Sequence, residues 1–245
     1  MEDIQKSLEN AAKLAGEKGL TRFSRFLDPA EAELGRQLAR QYGAGFSAWG
    51  GYEQAERVVG CFSPAGEEAD TDQYPVVCLH SRYSPRFCSI SHRDLLGSFM
   101  ALGLTRSCAG DMIIAGTDIY LFAHAQTADF IAQSMKNAGK APLDFHALAE
   151  TPEMPEPEGT RFSGVVSSLR LDAVLAAAYR LSRSESADSI RAGLVKVNHL
   201  VCDRKDLPLR EGALLSMRGK GRVRLLSVDG TTRKQRIGIT LFRYE

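Results

Sequence analysis

With 245 residues, 44% of them hydrophobic and 25% charged, the chain has the composition of an ordinary folded protein of one large or two to three small domains, not that of a disordered one. No stretch approaches the ~18 apolar residues of a membrane span, Met1–Leu20 lacks the basic start and apolar core of an export signal, and five cysteines without CxxC spacing suit neither a disulfide framework nor a zinc site. The net charge of +1 conceals a division: residues 161–245 carry 17 Lys+Arg against 8 Asp+Glu, a net of +9, while residues 1–160 carry the other 14 against 22, a net of −8. A basic end of this kind suits a polyanion. A cytoplasmic protein with reduced thiols is expected, with no membrane partner.

From the N-terminus, Ile4, Leu8 and Ala11-Ala12 recur at helical spacing, and Asp28-Pro29 supplies an N-cap and a first helical position for a second helix. Residues 1–73 are therefore expected to be a helical region, interrupted at Gly50-Gly51 and closed by the polar stretch Ser63–Gln73. Residues 74–150 read as a small α/β domain. Val76–Leu79 is a strand. Ser91 and Asp94 bracket a helix start, and the apolar stripe from Leu95 to Leu102 ends at Gly103. Met112–Ala115 and Ile119–Ala123 are strands about the turn Gly116-Thr117-Asp118, and Thr127–Asn137 is a helix ending near Gly139.

Residues 151–160, opening Thr151-Pro-Glu-Met-Pro-Glu-Pro-Glu-Gly159, are too rich in proline and glutamate for a helix or a central strand and read as a linker. Residues 161–245 follow as a basic module. Ser167 or Ser168 can cap a helix bearing Leu171, Val174, Leu175 and Ala178. Ser182 and Glu185 form a capping box for a short helix ended by Gly193. Val195–Val201 and Leu214–Met217 are strands, and Asp229-Gly230 is a hairpin turn between Val223–Val228 and Thr231–Phe242. Arg170, Arg183, Arg191 and Lys196 sit on or beside the helices. Arg218, Lys220, Arg222, Arg224, Arg233, Lys234 and Arg236 crowd the hairpin. Guanidinium and ammonium groups meet phosphates, and the capped helix start at Ser182 adds oriented N–H groups.

The motifs Ser168-Leu-Arg-Leu-Asp172, Ser182-Arg-Ser184, Ile190-Arg-Ala-Gly193, Val195-Lys-Val-Asn198 and Ser216-Met-Arg-Gly-Lys-Gly221 resemble, in order and spacing, the S4 RNA-binding domain. Two positions depart from that pattern: Ala213 stands where an acidic residue is usual, and His199 follows Asn198 where glycine is common. The resemblance implies RNA contacts at Arg170, Ser182, Arg183, Lys196, Asn198, Arg218 and Lys220, with Asp172 orienting an arginine, and the charge pattern adds Arg191 and Arg222 as RNA contacts. Phe26-Leu-Asp-Pro29, Gly50-Gly-Tyr-Glu-Gln-Ala-Glu-Arg57, Ser91-His-Arg-Asp-Leu-Leu-Gly97, Leu102-Gly-Leu-Thr-Arg106 and Gly110-Asp111 extend the likeness over nearly the whole chain, which resembles the bacterial YlmH family. That likeness implies an α+β protein: a helical N-terminal region, an RRM-like α/β domain and a C-terminal S4 domain. It also implies association with the large ribosomal subunit, contacts with rRNA and tRNA, and a part in rescuing stalled translation on subunits that hold peptidyl-tRNA. Arg93 and Arg106 are candidates for a second RNA surface.

No catalytic role is expected, and no cofactor, metal or DNA partner. His92-Arg93-Asp94-Leu95 mimics a kinase catalytic loop, but Phe99 occupies the place of its asparagine, and helix capping accounts for Ser91 and Asp94. Gly50-Gly51 lacks the surrounding residues of a phosphate loop. Two alternatives stand beside RNA binding: an RNA-modifying enzyme of the pseudouridine synthase type, suggested by Arg170-Leu171-Asp172, and an adaptor docking a basic protein on the acidic residues 1–160.

Overall fold

A computed structural model describes residues 2–86, 88–155, 159–231 and 235–244. The chain divides into two compact units, residues 1–155 and 156–245.

In the first unit, helix α1 (Glu2–Lys18) leads to strand β1 (Arg22–Leu27), helix α2 (Pro29–Gln41) and strands β2 (Gly45–Trp49) and β3 (Val58–Ser63). Asp28 caps α2 as expected: its carboxylate accepts from the backbone N–H groups of Ala30 and Glu31, both at 2.9 Å, and Glu31 accepts from the Asp28 N–H at 2.8 Å. Besides the two expected helices, residues 1–73 hold an antiparallel sheet of order β1-β3-β2. Its strands escape a helical reading because both faces are covered, so Val58–Ser63 is buried almost throughout and shows no alternation. One face packs Leu27 and Phe62 against Leu8, Ala12, Leu38 and Ala39 of the helices. The other presents Phe26, Val59 and Cys61 to the next sheet.

Strand β4 (Val76–Arg82), helix α3 (His92–Ala101), strands β5 (Ala109–Ala115) and β6 (Asp118–His124), helix α4 (Ala125–Ser134) and the short strands β7 (Asn137–Ala138), β8 (Ala141–Pro142) and β9 (His146–Ala147) complete the unit. A four-stranded antiparallel sheet of order β5-β6-β4-β9 carries α3 and α4 on one face, over Leu79, Leu95, Phe99, Ile119, Leu121 and Ile131. The expected helix over Thr127–Asn137 starts two residues earlier, capped by His124, and stops at Ser134, where the β7–β8 hairpin about Gly139 takes over. The sheet's other face sets Cys78 and Phe122 against Phe26, Val59 and Cys61 of the first sheet. The fit is close enough to dictate glycine: a Cβ on Gly110 would stand 2.5 Å from the Phe26 ring, and one on Gly51 (φ 102°) 2.3 Å from the Phe122 ring.

The second unit is strand β10 (Gly159–Val166), helices α5 (Leu171–Tyr179) and α6 (Arg183–Arg191), and strands β11 (Val195–Val197), β12 (Leu200–Val201), β13 (Leu214–Met217), β14 (Gly221–Thr231) and β15 (Ile237–Tyr244). They form one six-stranded sheet of order β10-β15-β14-β13-β11-β12. Both helices pack on one face, where Val174, Leu175, Ala178 and Ile190 meet Val195, Leu215, Val223, Leu225, Ile239 and Leu241.

Four expectations are corrected here. Gly159 and Thr160 belong to β10 rather than to a linker, paired with Tyr244 and Arg243. The N-cap of α5 is Arg170, not Ser167 or Ser168, because the Leu171 and Asp172 N–H groups bond the carbonyls of Leu207 and Lys205 instead of a side chain. The run Val195–Val201 is folded back on itself, since Asn198 (φ 47°) and His199 (φ 70°) are left-handed and turn it into the β11–β12 hairpin. Asp229-Gly230 is an irregularity inside β14, not the turn. The register shifts there, Gly230 takes φ 95°, and Asp229 is held by the Ser227 and Thr240 hydroxyls. Arg233 and Lys234, and Glu156–Glu158 of the expected linker, lie outside the described residues.

Candidate nucleic-acid interface

The expected RNA contacts of the second unit fall into separate groups. The first gathers where α5 and α6 begin. Asp172, in the first turn of α5, is only 5% exposed. A lone buried carboxylate is costly, and this one is paired twice. Arg183 Nη2 reaches its Oδ2 at 2.7 Å and Arg170 Nε its Oδ1 at 3.2 Å. Arg183 Nη1 also donates to the Ser167 hydroxyl at 3.1 Å. Burial is the largest single influence on the Asp172 carboxyl and pushes its pKa up, but the bonds and charges of Arg183 and Arg170 together outweigh it and leave the pKa below the ordinary value. Both arginine side chains stay about half exposed, 42% for Arg170 and 52% for Arg183. Asp172 thus aims two guanidinium groups whose remaining donors face solvent.

Ser182 caps α6 with the expected box, its hydroxyl accepting from the Glu185 N–H at 3.2 Å while Glu185 accepts from the Ser182 N–H at 2.7 Å. Those bonds lower the Glu185 pKa, and the charge of Lys220 adds to the effect, which places Lys220 near the start of α6. Arg218 and Lys220 are exposed in the β13–β14 turn, where Gly219 (φ 78°) and Gly221 (φ 80°) hold left-handed backbone with open space around them.

Lys196 and Arg222 belong elsewhere. Each is in register with Ser216, on the face of the sheet away from the helices. Arg191 is exposed at the far end of α6, paired with Asp188 at 3.0 Å. Asn198 shapes the hairpin: its Oδ1 accepts from the Leu214 N–H at 2.8 Å. Sequence reasoning missed Lys205, exposed and carried to the start of α5 by its carbonyl's bond to Asp172. No local signal joins positions 33 apart. It also missed Tyr244, whose ring lies 5.0 Å from the Arg222 guanidinium and 5.8 Å from that of Arg224. Among the described residues Arg224 Nε is buried with no hydrogen-bond partner, and stacking over the ring accounts for its tolerance.

In the first unit, Arg93 is exposed near the start of α3, where Ser91 and Asp94 form the expected capping box. Arg106 is half-buried, and its Nη1 donates to the carbonyls of Ala109 at 2.9 Å and Gly110 at 2.7 Å, which commits that nitrogen to the fold. Burial, then the nearby Arg57 charge, lowers its pKa to about 10. Arg57 likewise donates to Phe26, Arg106 and Ala109 carbonyls. Asp111, half-buried nearby, accepts from the Tyr52 hydroxyl at 2.9 Å and the N–H groups of Glu56 at 2.7 Å and Arg57 at 3.2 Å. These motif residues join the two sheets of the unit. Among the described residues no helix is long and apolar enough to cross a membrane, and no group of three metal-ligating side chains occurs.

Comparison with known proteins agrees with this division. Residues 69–151 match the family described as "Putative RNA-binding domain in YlmH" and residues 169–215 the "S4 domain". The chain is 34% identical over 232 residues to "Ribosome-associated protein quality control protein P2" of Bacillus subtilis (strain 168), covering 94% of this chain and 90% of that relative. Its fold is similar to the solved structure "Cell division protein ylmH from Streptococcus pneumoniae", with a TM-score of 0.51 and 19% identity, over 60% of this chain and 90% of that one.

Proposed function

The chain belongs to the YlmH family, and on that footing we propose that it is a non-enzymatic RNA-binding protein of the cytoplasm that associates with the ribosome. The observation that carries this reading is the pair of half-exposed arginines, Arg170 and Arg183, held by one buried carboxylate at the helix starts of a module of net charge +9. Two guanidinium groups fixed in direction, with Lys220, Arg218 and Lys205 around them, form a surface for phosphates of structured RNA, recognised by backbone and shape. Ser182 positions the start of α6 within that surface. Lys196 and Arg222 contact RNA from the sheet side, and Arg191 and Asn198 take at most peripheral places. Arg93 is the candidate contact in the first unit.

The particle is the large ribosomal subunit, with rRNA and tRNA as the RNA, and the role is stabilising peptidyl-tRNA there during the rescue of stalled translation. The name of the Bacillus subtilis relative supports the ribosomal and quality-control part of this reading. With the RNA-contacting parts taken as residues 74–150 and 161–245, two surfaces engage one particle, which raises avidity without new contacts. The test is sucrose-gradient sedimentation of tagged protein beside the Arg183→Ala/Lys220→Ala variant, with sequencing of the bound RNA. The wild type should travel with large subunits and enrich tRNA, and the variant should remain at the top of the gradient. A variant that sediments unchanged would refute the arginine surface and favour docking of the acidic residues 1–160 on a basic protein.

A further inference from the structure

The six-stranded sheet of the second unit has two faces, and only one is used by the helices. Strand registers place Lys196, Ser216 and Arg222 in one row of the other face and Leu214, Arg224, Phe242 and Arg161 in the next. Their sequence neighbours Val195, Leu215, Val223, Leu225 and Leu241 point the opposite way, into the core. Tyr244 stands beside the first row, with the guanidinium groups of Arg222 and Arg224 over its ring. The Phe242 ring meets it edge-on at 5.0 Å. Gly159 makes room for this arrangement, since a Cβ there would lie 2.6 Å from Phe242 Cζ. Asp229 lies at the far end of β14, where it accepts from the Ser227 and Thr240 hydroxyls.

We infer that this face is a second RNA-binding surface, distinct from the helix starts, which stacks unpaired bases on the arginine–tyrosine layer and holds their phosphates with Lys196 and Arg161. It rests on the reading of the module as an RNA binder and extends it to single-stranded RNA. The chemistry favours that occupant. Guanidinium planes and aromatic rings offer stacking to any base regardless of sequence, and flanking cations track the backbone. A phosphate-only contact would need the cations but not the aromatic rings beneath them. Of the stacking and cationic residues Lys196, Arg161, Arg222, Arg224, Phe242 and Tyr244, Lys196 alone lies within the residues that match the S4 domain, 169–215, so most of the surface is an addition made by β10, β14 and β15.

The test uses the full chain and a fluorescent, unstructured oligouridine RNA, read by anisotropy at fixed salt. Tyr244→Ser should weaken binding about ten-fold, as the loss of one stacked base does, while Tyr244→Trp should keep it. Arg222→Gln should weaken it too, without a change in thermal midpoint. If Tyr244→Ser binds as the wild type does, or if the wild type ignores the oligonucleotide, the inference is overturned and an acidic protein becomes the candidate for this face. Sedimentation of the Arg183→Ala/Lys220→Ala variant separates the two readings. Retained subunit binding in that variant refutes the helix-start surface alone, and intact oligouridine binding by Tyr244→Ser refutes the sheet surface alone.

Discussion

Replacing Asp172 by asparagine tests whether the helix-start arginines work by charge or by direction. The substitution removes a negative charge from a basic module, so a surface acting through net charge alone would bind RNA more tightly. Orientation predicts the opposite, because Arg183 at 2.7 Å and Arg170 at 3.2 Å lose the anion that aims them. Stability falls as well. The carboxylate is buried but both arginines are about half exposed, so each pair deserves the low end of the charge-assisted range, ~0.5–1 kcal/mol. Together they give about 1–2 kcal/mol, and each kcal/mol shifts the melting midpoint of a domain this size by about 4–8 °C. The effect carries a pH signature. The Asp172 pKa is depressed in the folded protein by its arginine partners, which overcome burial. Its contribution is therefore present above the unfolded value of about 3.9 and disappears as pH falls through the lower folded value. Urea unfolding of wild type and variant should differ at pH 7 and draw together as pH falls below about 3.9. RNA affinity of Asp172→Asn equal to or above the wild type at neutral pH, with an unchanged urea midpoint, would refute the reasoning.

Asp111→Ala strands three donors, the Tyr52 hydroxyl and the Glu56 and Arg57 N–H groups. It should cost the first unit about 3 kcal/mol or more, read as a lower urea midpoint, with RNA affinity of the folded protein unaltered. Arg106→Ala should likewise lower that midpoint and leave RNA binding intact, whereas a loss of RNA affinity at full stability would restore Arg106 to the surface. His199→Gly relieves a side chain at φ 70° in the β11–β12 turn and should raise the melting midpoint of the second unit, by about 0.5–1 kcal/mol in stability.

Capping made the helices legible. The boxes at Asp28, Ser91 and Ser182 each involve residues three apart, so both partners appear in one short window of sequence. The start of α5 was less readable because its partners come from Lys205 and Leu207, more than thirty residues away. The strands at Val76–Leu79, Met112–Ala115 and Ile119–Ala123 were legible as β-branched apolar runs, whereas β3, interrupted by Gly60 and without alternation because both its faces are buried, was lost. The candidate site was legible as a set of charges but not as an arrangement. Nothing in the spacing of Arg170, Lys196 and Arg222 reveals that the first lies at a helix start and the other two on the far face of a sheet. Asp172 was readable as the partner of an arginine because an acid within a basic motif needs a reason, although sequence alone gave it one guanidinium rather than two.

The residues outside the basic module that carry the resemblance to the YlmH family have an architectural meaning. Tyr52, Arg57, Arg106, Gly110 and Asp111 converge on the joint between the two sheets of the first unit, where Phe26, Val59, Cys61, Cys78 and Phe122 are buried. Burial raises the Cys61 thiol pKa and takes that of Cys78 to about 11, so neither is a thiolate at neutral pH. An RRM-like sheet that received bases over Cys78 and Phe122 would first have to separate from its neighbour. Exposing several large apolar side chains at about 1.5–3 kcal/mol each, along with the stranded Asp111 network, exceeds the 1–3 kcal/mol that stacking one base returns. On the proposed reading, RNA would therefore meet this unit at its perimeter, where Arg93 is exposed at the start of α3.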